Sequence, residues 1–334
     1  MKRLMTDRQA GRRSSGQFLS PRSMLLLTLG AVPLPACRPE SAGQLQPHEG
    51  FAPVAGGRIW YQVIGTGRGI PLILVHGGPG GTSCSYHRLE ALGDDRPLIL
   101  YDQLSTGRSD RTADTTLWNV PRFVDEIDSL RAHLKLDRFH IYGHSWGGSV
   151  VADYLITRKP TWVVSAVLGS PLISTRRWIA DADTLRSQMP AQLQQVLAVH
   201  ESAGTFEAPE YLAATDSFYA RHMSRRQPPV TVPECAGVKG NDTLYRYMWG
   251  PTEFVATGTL RDFDRADRLG EINVPVLFLT GEFDEARPET VQDFQQRVPG
   301  ARLAIIPGSG HSVTRDNPEE VVRVIREFLR AQEH

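Results

Sequence analysis

Cysteine is scarce in this chain, with three residues in 334, at Cys37, Cys84 and Cys235. No paired C-x-x-C and no H-E-x-x-H occurs, so no metal site is written in the sequence, and no cofactor motif takes its place. Cys84 and Cys235 lie far apart along the chain and form no framework pattern, so free, half-buried thiols are expected there. Net charge is also lacking, because Lys plus Arg and Asp plus Glu both number 37. That balance hides a basic N-terminus in which Lys2, Arg3, Arg8, Arg12, Arg13 and Arg22 face only Asp7. The remainder is net acidic, which disfavours a nucleic-acid partner. No internal repeat is visible. No apolar run near the basic start approaches the ~20 residues of a bilayer crossing.

A shorter apolar run is present. The basic start leads into "MLLLTLGAV", Met24 to Val32, and then into "PLPAC". A positive segment, a short apolar run and the small Ala36 read as an export signal. "LPAC" resembles the lipobox of bacterial lipoproteins, which makes Cys37 the expected lipidated first residue and implies a possible lipid anchor. Pro35 is unusual in such a box, and ordinary signal cleavage or a cytoplasmic chain with a free N-terminus are the alternatives. The expected organisation is a signal segment over 1–37, a polar tether over 38–50, a core over 51–172 and 271–334, and a helical cap over 173–270.

From Gly57 onward, short apolar runs alternate with helical periodicity. "RIWYQVI" alternates like an exposed antiparallel strand. "PLILVH", "PLILYD", "FHIYGH", "SAVLGS", "VPVLFLT" and "ARLAIIPG" are continuous and suit strands buried on both faces of a parallel sheet. An amphipathic helix over 120–134 has Asn119 as its cap. A last helix starts at Asn317-Pro318 and buries Val321, Val322, Ile325, Phe328 and Leu329. The pattern is that of a doubly wound α/β sheet. Between the strands at 165–170 and 274–280 four helical segments follow one another, at 175–189, 191–203, 208–224 and 241–249. They are expected to roof the carboxyl ends of the strands, where open α/β sheets bind ligands.

"GHSWGG", Gly143 to Gly148, follows a predicted strand and precedes a predicted helix. This is the context of the nucleophile elbow of α/β hydrolases, with Ser145 exposed on a strained turn. That fold orders its partners as serine, acid, histidine. Asp284 follows "VPVLFLT", and His311 follows "LAIIP". His311 would move the proton, and Asp284 would fix its tautomer. The oxyanion donors are expected to be the amides of Trp146 and of Gly78 in "HGGPGG", a loop without the Lys and Ser/Thr of a phosphate cradle. His76 and His144 read as scaffold.

Together "HGGPGG", "YDQLSTGRS", "GHSWGG", "MWGPTEF", "GEFDEARP" and "GSGHS" resemble the proline iminopeptidase family of α/β hydrolases, nearest to its tricorn-interacting aminopeptidase and L-amino-acid amidase subgroup. The resemblance runs from about Gly57 to the C-terminus. It departs at Ser105, where the family usually has glycine. It implies a serine aminopeptidase that releases N-terminal Pro or another uncharged residue from short peptides or amides through an acyl-enzyme. It also implies that Glu253 and Glu285 hold the free α-ammonium of the substrate. Physically, an ammonium taken into a roofed pocket needs carboxylate partners. Glu282 is left to solvent. Tyr247, Trp249 and Phe254 are candidates for an apolar wall or for simple packing. A carboxylesterase or lactonase on the same scaffold is the alternative.

Overall fold

The computed structural model describes residues 45–226 and 232–333. The signal segment and Cys37 lie outside the described residues. Eight strands form one sheet in the order β1-β2-β4-β3-β5-β6-β7-β8. They are β1 (His48–Val54), β2 (Gly57–Ile64), β3 (Leu72–Val75), β4 (Leu98–Tyr101), β5 (Phe139–His144), β6 (Val163–Gly169), β7 (Val276–Gly281) and β8 (Arg302–Ile306). β1–β2 and β2–β4 pair antiparallel, and every later pairing is parallel. β3, β4 and β7 are buried at every position, as continuous apolar runs require.

The strand order reverses at β3, which has β4 on one side and β5 on the other. Such a switch point opens a crevice at the carboxyl ends of the strands. Val75 pairs with Gly143, so the loop after β3 and the turn after β5 emerge side by side. That register brings "HGGPGG" against Ser145.

Helices α1 (Val120–His133) and α2 (Trp146–Arg158) cover one face of the sheet. Asn119 caps α1 by accepting the amide of Arg122. The insertion carries α3 (Thr175–Arg186), α4 (Ala191–Ala203), α5 (Pro209–His222) and α6 (Asp242–Met248), with an apolar cluster of its own around Leu197, Tyr211, Phe218 and Phe254. The chain then returns to the sheet with α7 (Pro288–Arg297), α8 (Val313–Asp316) and α9 (Pro318–Arg330). α9 and a 3-10 helix at Ser83–Asp94 cover the second face. α9 buries the five apolar side chains expected of it, and Asn317 caps it through the amide of Glu320.

Four expectations are corrected. "ARLAIIPG", expected to be buried on both faces, forms β8 at the end of the sheet order, with Arg302 and Ile305 exposed and only Ile306 fully buried. The segment taken as a tether to residue 50 already contains β1, which begins at His48 and pairs along its whole length with β2. "HEGFAPV" is polar and contains proline, yet β1 is an edge strand, where a missing N–H is tolerated. β2 is antiparallel but not exposed. It lies between β1 and β4 and buries Ile59, Trp60, Tyr61 and Val63. Cys84 and Cys235 are not free thiols but a disulfide, with Cα atoms 5.9 Å apart. The 3-10 helix at Ser83–Asp94 and a short 3-10 turn of the insertion, Pro233–Cys235, meet there, a proximity that sequence spacing cannot convey. The bond closes a loop of 151 residues. Reduction, or Cys235→Ser, is expected to lower stability by about 2–4 kcal/mol. Thermal unfolding with and without reductant checks this, and an unchanged Tm would refute it.

Candidate active site

Ser145 sits between β5 and α2 with φ 56° and ψ −122°, a region that side-chain-bearing residues rarely adopt. The turn is held by Ser145 N donating to Gly169 O at 2.9 Å and Gly148 N donating to Ser145 O at 2.8 Å. Its glycines are forced by space. A Cβ at Gly143 would lie 2.2 Å from Gly147 O, and one at Gly147 would lie 2.0 Å from Val75 O. β3 therefore approaches the elbow more closely than any side chain allows.

The loop after β3 closes over the same point. A Cβ on Gly77 would stand 3.2 Å from Ser145 Cβ, so this backbone lies directly against the serine. Gly78 has φ +127°, and a Cβ there would meet the amides of Gly80 and Gly81 at 2.6 Å. Gln103 braces the assembly: its Nε2 donates to His76 O at 2.9 Å, and its Oε1 accepts from Trp146 Nε1 at 2.9 Å. The unusual Ser105 has φ 71° and is held by its neighbours. Its Oγ accepts from Thr112 N at 3.1 Å, and its carbonyl from Asn241 Nδ2 at 2.9 Å.

Asp284 and His311 are brought together by the ends of β7 and β8. His311 Nδ1 lies 2.9 Å from Asp284 Oδ1. A carboxylate only accepts, so Nδ1 carries the proton and Nε2 keeps its lone pair in the neutral ring. Asp284 Oδ2 accepts from Ser170 Oγ at 2.6 Å, Thr280 Oγ1 at 3.0 Å and Gly281 N at 3.1 Å. Burial alone would raise its carboxyl, but His311 and these donors bring it below its ordinary value. The histidine loop is tied to the insertion, with His311 N donating to His222 O and Ser312 N to Met223 O, both at 2.7 Å.

Two aromatic rings fix the imidazole. Trp178 meets it edge-on at 5.4 Å, and His144 lies 4.7 Å away. His144 Nε2 donates to His311 O at 2.9 Å. Burial and the neighbouring His311 push His144 down to about 4, so it stays neutral, as scaffold.

Glu285 is buried at 1% exposure, with Oε1 3.9 Å from His311 Nε2. Neither of its carboxyl oxygens has a hydrogen-bond partner among the described residues. Burial, then Glu253, then Asp284 push its pKa well above the ordinary carboxylate range. Glu253 reaches the same place from the insertion. Its Oε1 accepts from Tyr245 OH at 2.6 Å, and burial raises it against the pull of Tyr245 and His311. Glu282 is exposed and accepts from Gly308 N at 2.9 Å.

The aromatic candidates divide. Trp249 is buried and stands edge-on to Trp178 at 6.3 Å. Phe254 packs on Phe218 within the insertion, and Tyr247 is 39% exposed against Trp118. Sequence reasoning missed Gln103, Ser170, Trp178 and Tyr245 as supports of the site. Gln103 lies within "YDQLSTGRS", but its role as a brace depends on contacts across the crevice.

An eight-stranded sheet with this elbow, acid and histidine defines a class. Residues 72–324 match the profile of the alpha/beta hydrolase family. A proline iminopeptidase of Heyndrickxia coagulans is 40% identical over 284 residues, covering 84% of this chain and 98% of that protein. A proline iminopeptidase of Mycobacterium smegmatis has a similar crystal structure, with TM-score 0.77, 34% identity and coverage of 86% of this chain and 99% of that one. VinJ is also similar, with TM-score 0.79 and 32% identity over 86% of this chain and 100% of its own. The chain belongs to the proline iminopeptidase family of alpha/beta hydrolases.

Proposed function

We propose that this protein is a serine aminopeptidase that releases N-terminal proline or another uncharged residue from short peptides or amino-acid amides. The observation that carries this reading is Glu285, a buried carboxylate with no hydrogen-bond partner among the described residues, beside His311 Nε2. A buried charge without partners is costly, and a cationic ligand is what offsets it. A substrate α-ammonium placed between Glu285 and Glu253 supplies that cation and sets the adjacent carbonyl over Ser145.

In this reading His311 Nε2 takes the Ser145 proton as Oγ attacks the carbonyl carbon. The oxyanion is held by the amides of Gly78 and Trp146, each contributing about 3–4 kcal/mol to the transition state. Collapse breaks the C–N bond, and the leaving amine takes the proton from His311. Water then attacks the acyl-enzyme with His311 again as base, and frees the amino acid and Ser145. An esterase reading leaves Glu285 without a counter-charge. Export also belongs to this proposal, with Cys37 as the lipidated residue. The Cys84–Cys235 disulfide fits an oxidising compartment.

Hydrolysis of Pro-, Leu- and Ala-2-naphthylamide is to be compared with their N-acetyl forms and with a p-nitrophenyl ester. Turnover confined to the free amines is expected. Preference for blocked amides or for the ester would reject the aminopeptidase and keep only a serine hydrolase.

A further inference from the structure

We infer that the side chain of Asn241 is a positioning group, which holds both halves of the oxyanion site in register with the carboxylate that reads the substrate's α-ammonium. The inference rests on the aminopeptidase reading above and deepens it by naming what fixes the distance between its two recognition points.

The demand comes from the substrate. In an N-terminal residue one carbon joins the α-nitrogen to the scissile carbonyl, so neither can be seated without the other. The oxyanion donors, the amides of Gly78 and Trp146, belong to the core, whereas Glu253 arrives on the insertion after α6. A misplacement of about 1 Å can cost about a hundredfold in rate, so the insertion must be tied to the core close to the site.

Asn241 makes that tie with all four of its polar groups. Its backbone N–H donates to Gly80 O at 2.8 Å, in the loop that carries Gly78. Its Nδ2 donates to Ser105 O at 2.9 Å, in the loop of Gln103, the residue that bonds His76 O and Trp146 Nε1. Its Oδ1 accepts from Leu244 N and its carbonyl from Tyr245 N, both at 3.0 Å, and these bonds start α6. Tyr245, one helical turn on, donates to Glu253 Oε1 at 2.6 Å. The partners also fix the amide's orientation, because an N–H needs Oδ1 and a carbonyl needs Nδ2.

The approach of strap to loop is closer than side chains permit. Gly80 has φ +90°, and a Cβ there would stand 2.5 Å from Asn241 O. A Cβ at Gly240 would stand 2.6 Å from Gly80 O. The chain before Asn241 is pinned separately. Gly107 N donates to Lys239 O at 3.1 Å, Arg108 Nη2 donates to Glu234 O at 2.7 Å, and Cys235 is bonded to Cys84. Those contacts deliver Asn241 to the crevice, and its amide side chain then joins the Gln103 loop to the start of α6.

The test compares two reactions of the full-length chain. Proline 2-naphthylamide needs the ammonium register. A fluorophosphonate reacts with Ser145 and fills the oxyanion site but brings no ammonium. Asn241→Asp and Asn241→Ser each keep an oxygen that caps α6. Neither can donate from Nδ2 to Ser105 O, which retains Arg111 Nη1 at 3.0 Å, so both variants are expected to fold. In each, kcat/KM on the naphthylamide is expected to fall about tenfold further than the labelling rate. Combined with Glu253→Gln, either substitution should cost little more than Glu253→Gln alone, as members of one network couple. A purely structural role would lower cleavage and labelling together. An unchanged ratio of the two rates in either variant, or losses that add with Glu253→Gln, would overturn the role of Asn241 and leave the aminopeptidase standing. An unaltered chain that takes the label but cleaves no free-amine substrate would remove both readings.

Discussion

Ser145→Ala is expected to lower kcat on proline 2-naphthylamide by about a million-fold, the loss found when a member of a cooperating triad is removed. The strained elbow, the adjacent loop of Gly77 and Gly78, and the His311–Asp284 pair are useful only if an oxygen nucleophile stands at position 145. His311→Ala should fall as far, because Ser145 would keep its proton. Asp284→Asn should cost about ten-thousand-fold, since an amide can donate to Nδ1 and favour the wrong tautomer. A fluorophosphonate should label the unaltered chain once and leave Ser145→Ala unlabelled. If Ser145→Ala kept more than about a thousandth of the activity, or still took the label, Ser145 would not be the nucleophile.

What the sequence conveyed follows a physical division. Local strain has a local signature: Gly143 and Gly147 are demanded by contacts of 2.2 and 2.0 Å, and that demand is visible as G-x-S-x-G. Apolar runs marked the buried central strands in the same way, because burial on both faces leaves no polar alternation. The same signal misled at β8, an edge strand whose apolar run is largely half-buried or exposed. The first three residues of β1, His48 to Gly50, were placed in the tether since an edge strand needs little apolar content. The disulfide was missed because it joins the core to the insertion across 151 residues, a proximity decided by packing alone. Trp178 and Tyr245 belong with it. They hold His311 and Glu253 through contacts between the insertion and the core or within the insertion, and no residue spacing announces them. Glu285 was legible only through the family resemblance, and its physical meaning came from its unpartnered oxygens.

Glu285→Gln should weaken catalysis and strengthen the fold together. On free-amine substrates kcat/KM is expected to drop about a hundredfold, within the range for removing one partner of a buried charge pair. N-acetyl substrates should lose little, so discrimination between the two forms collapses. Stability should rise by about 1–3 kcal/mol at pH values above the ordinary carboxylate range, because a buried carboxyl that resists ionisation in the fold becomes an amide that does not titrate. The sign is set by linkage. Burial, Glu253 and Asp284 raise the folded-state pKa of Glu285 well above its ordinary value. Below the ordinary carboxylate range the group is protonated in both states and contributes no difference. As pH rises above that range the unfolded chain releases its proton first, so the unaltered protein loses stability until its own raised pKa is passed. The gap between variant and parent should therefore be absent near pH 4 and open towards pH 8 in urea unfolding. Tyr245 OH already bonds Glu253, so Glu253→Gln should show a smaller gain in stability. A Glu285→Gln protein that is less stable at pH 8, or that still tells free from blocked amines, would remove Glu285 from the ammonium site. The buried carboxyl that limits the empty fold is the same group that selects the substrate.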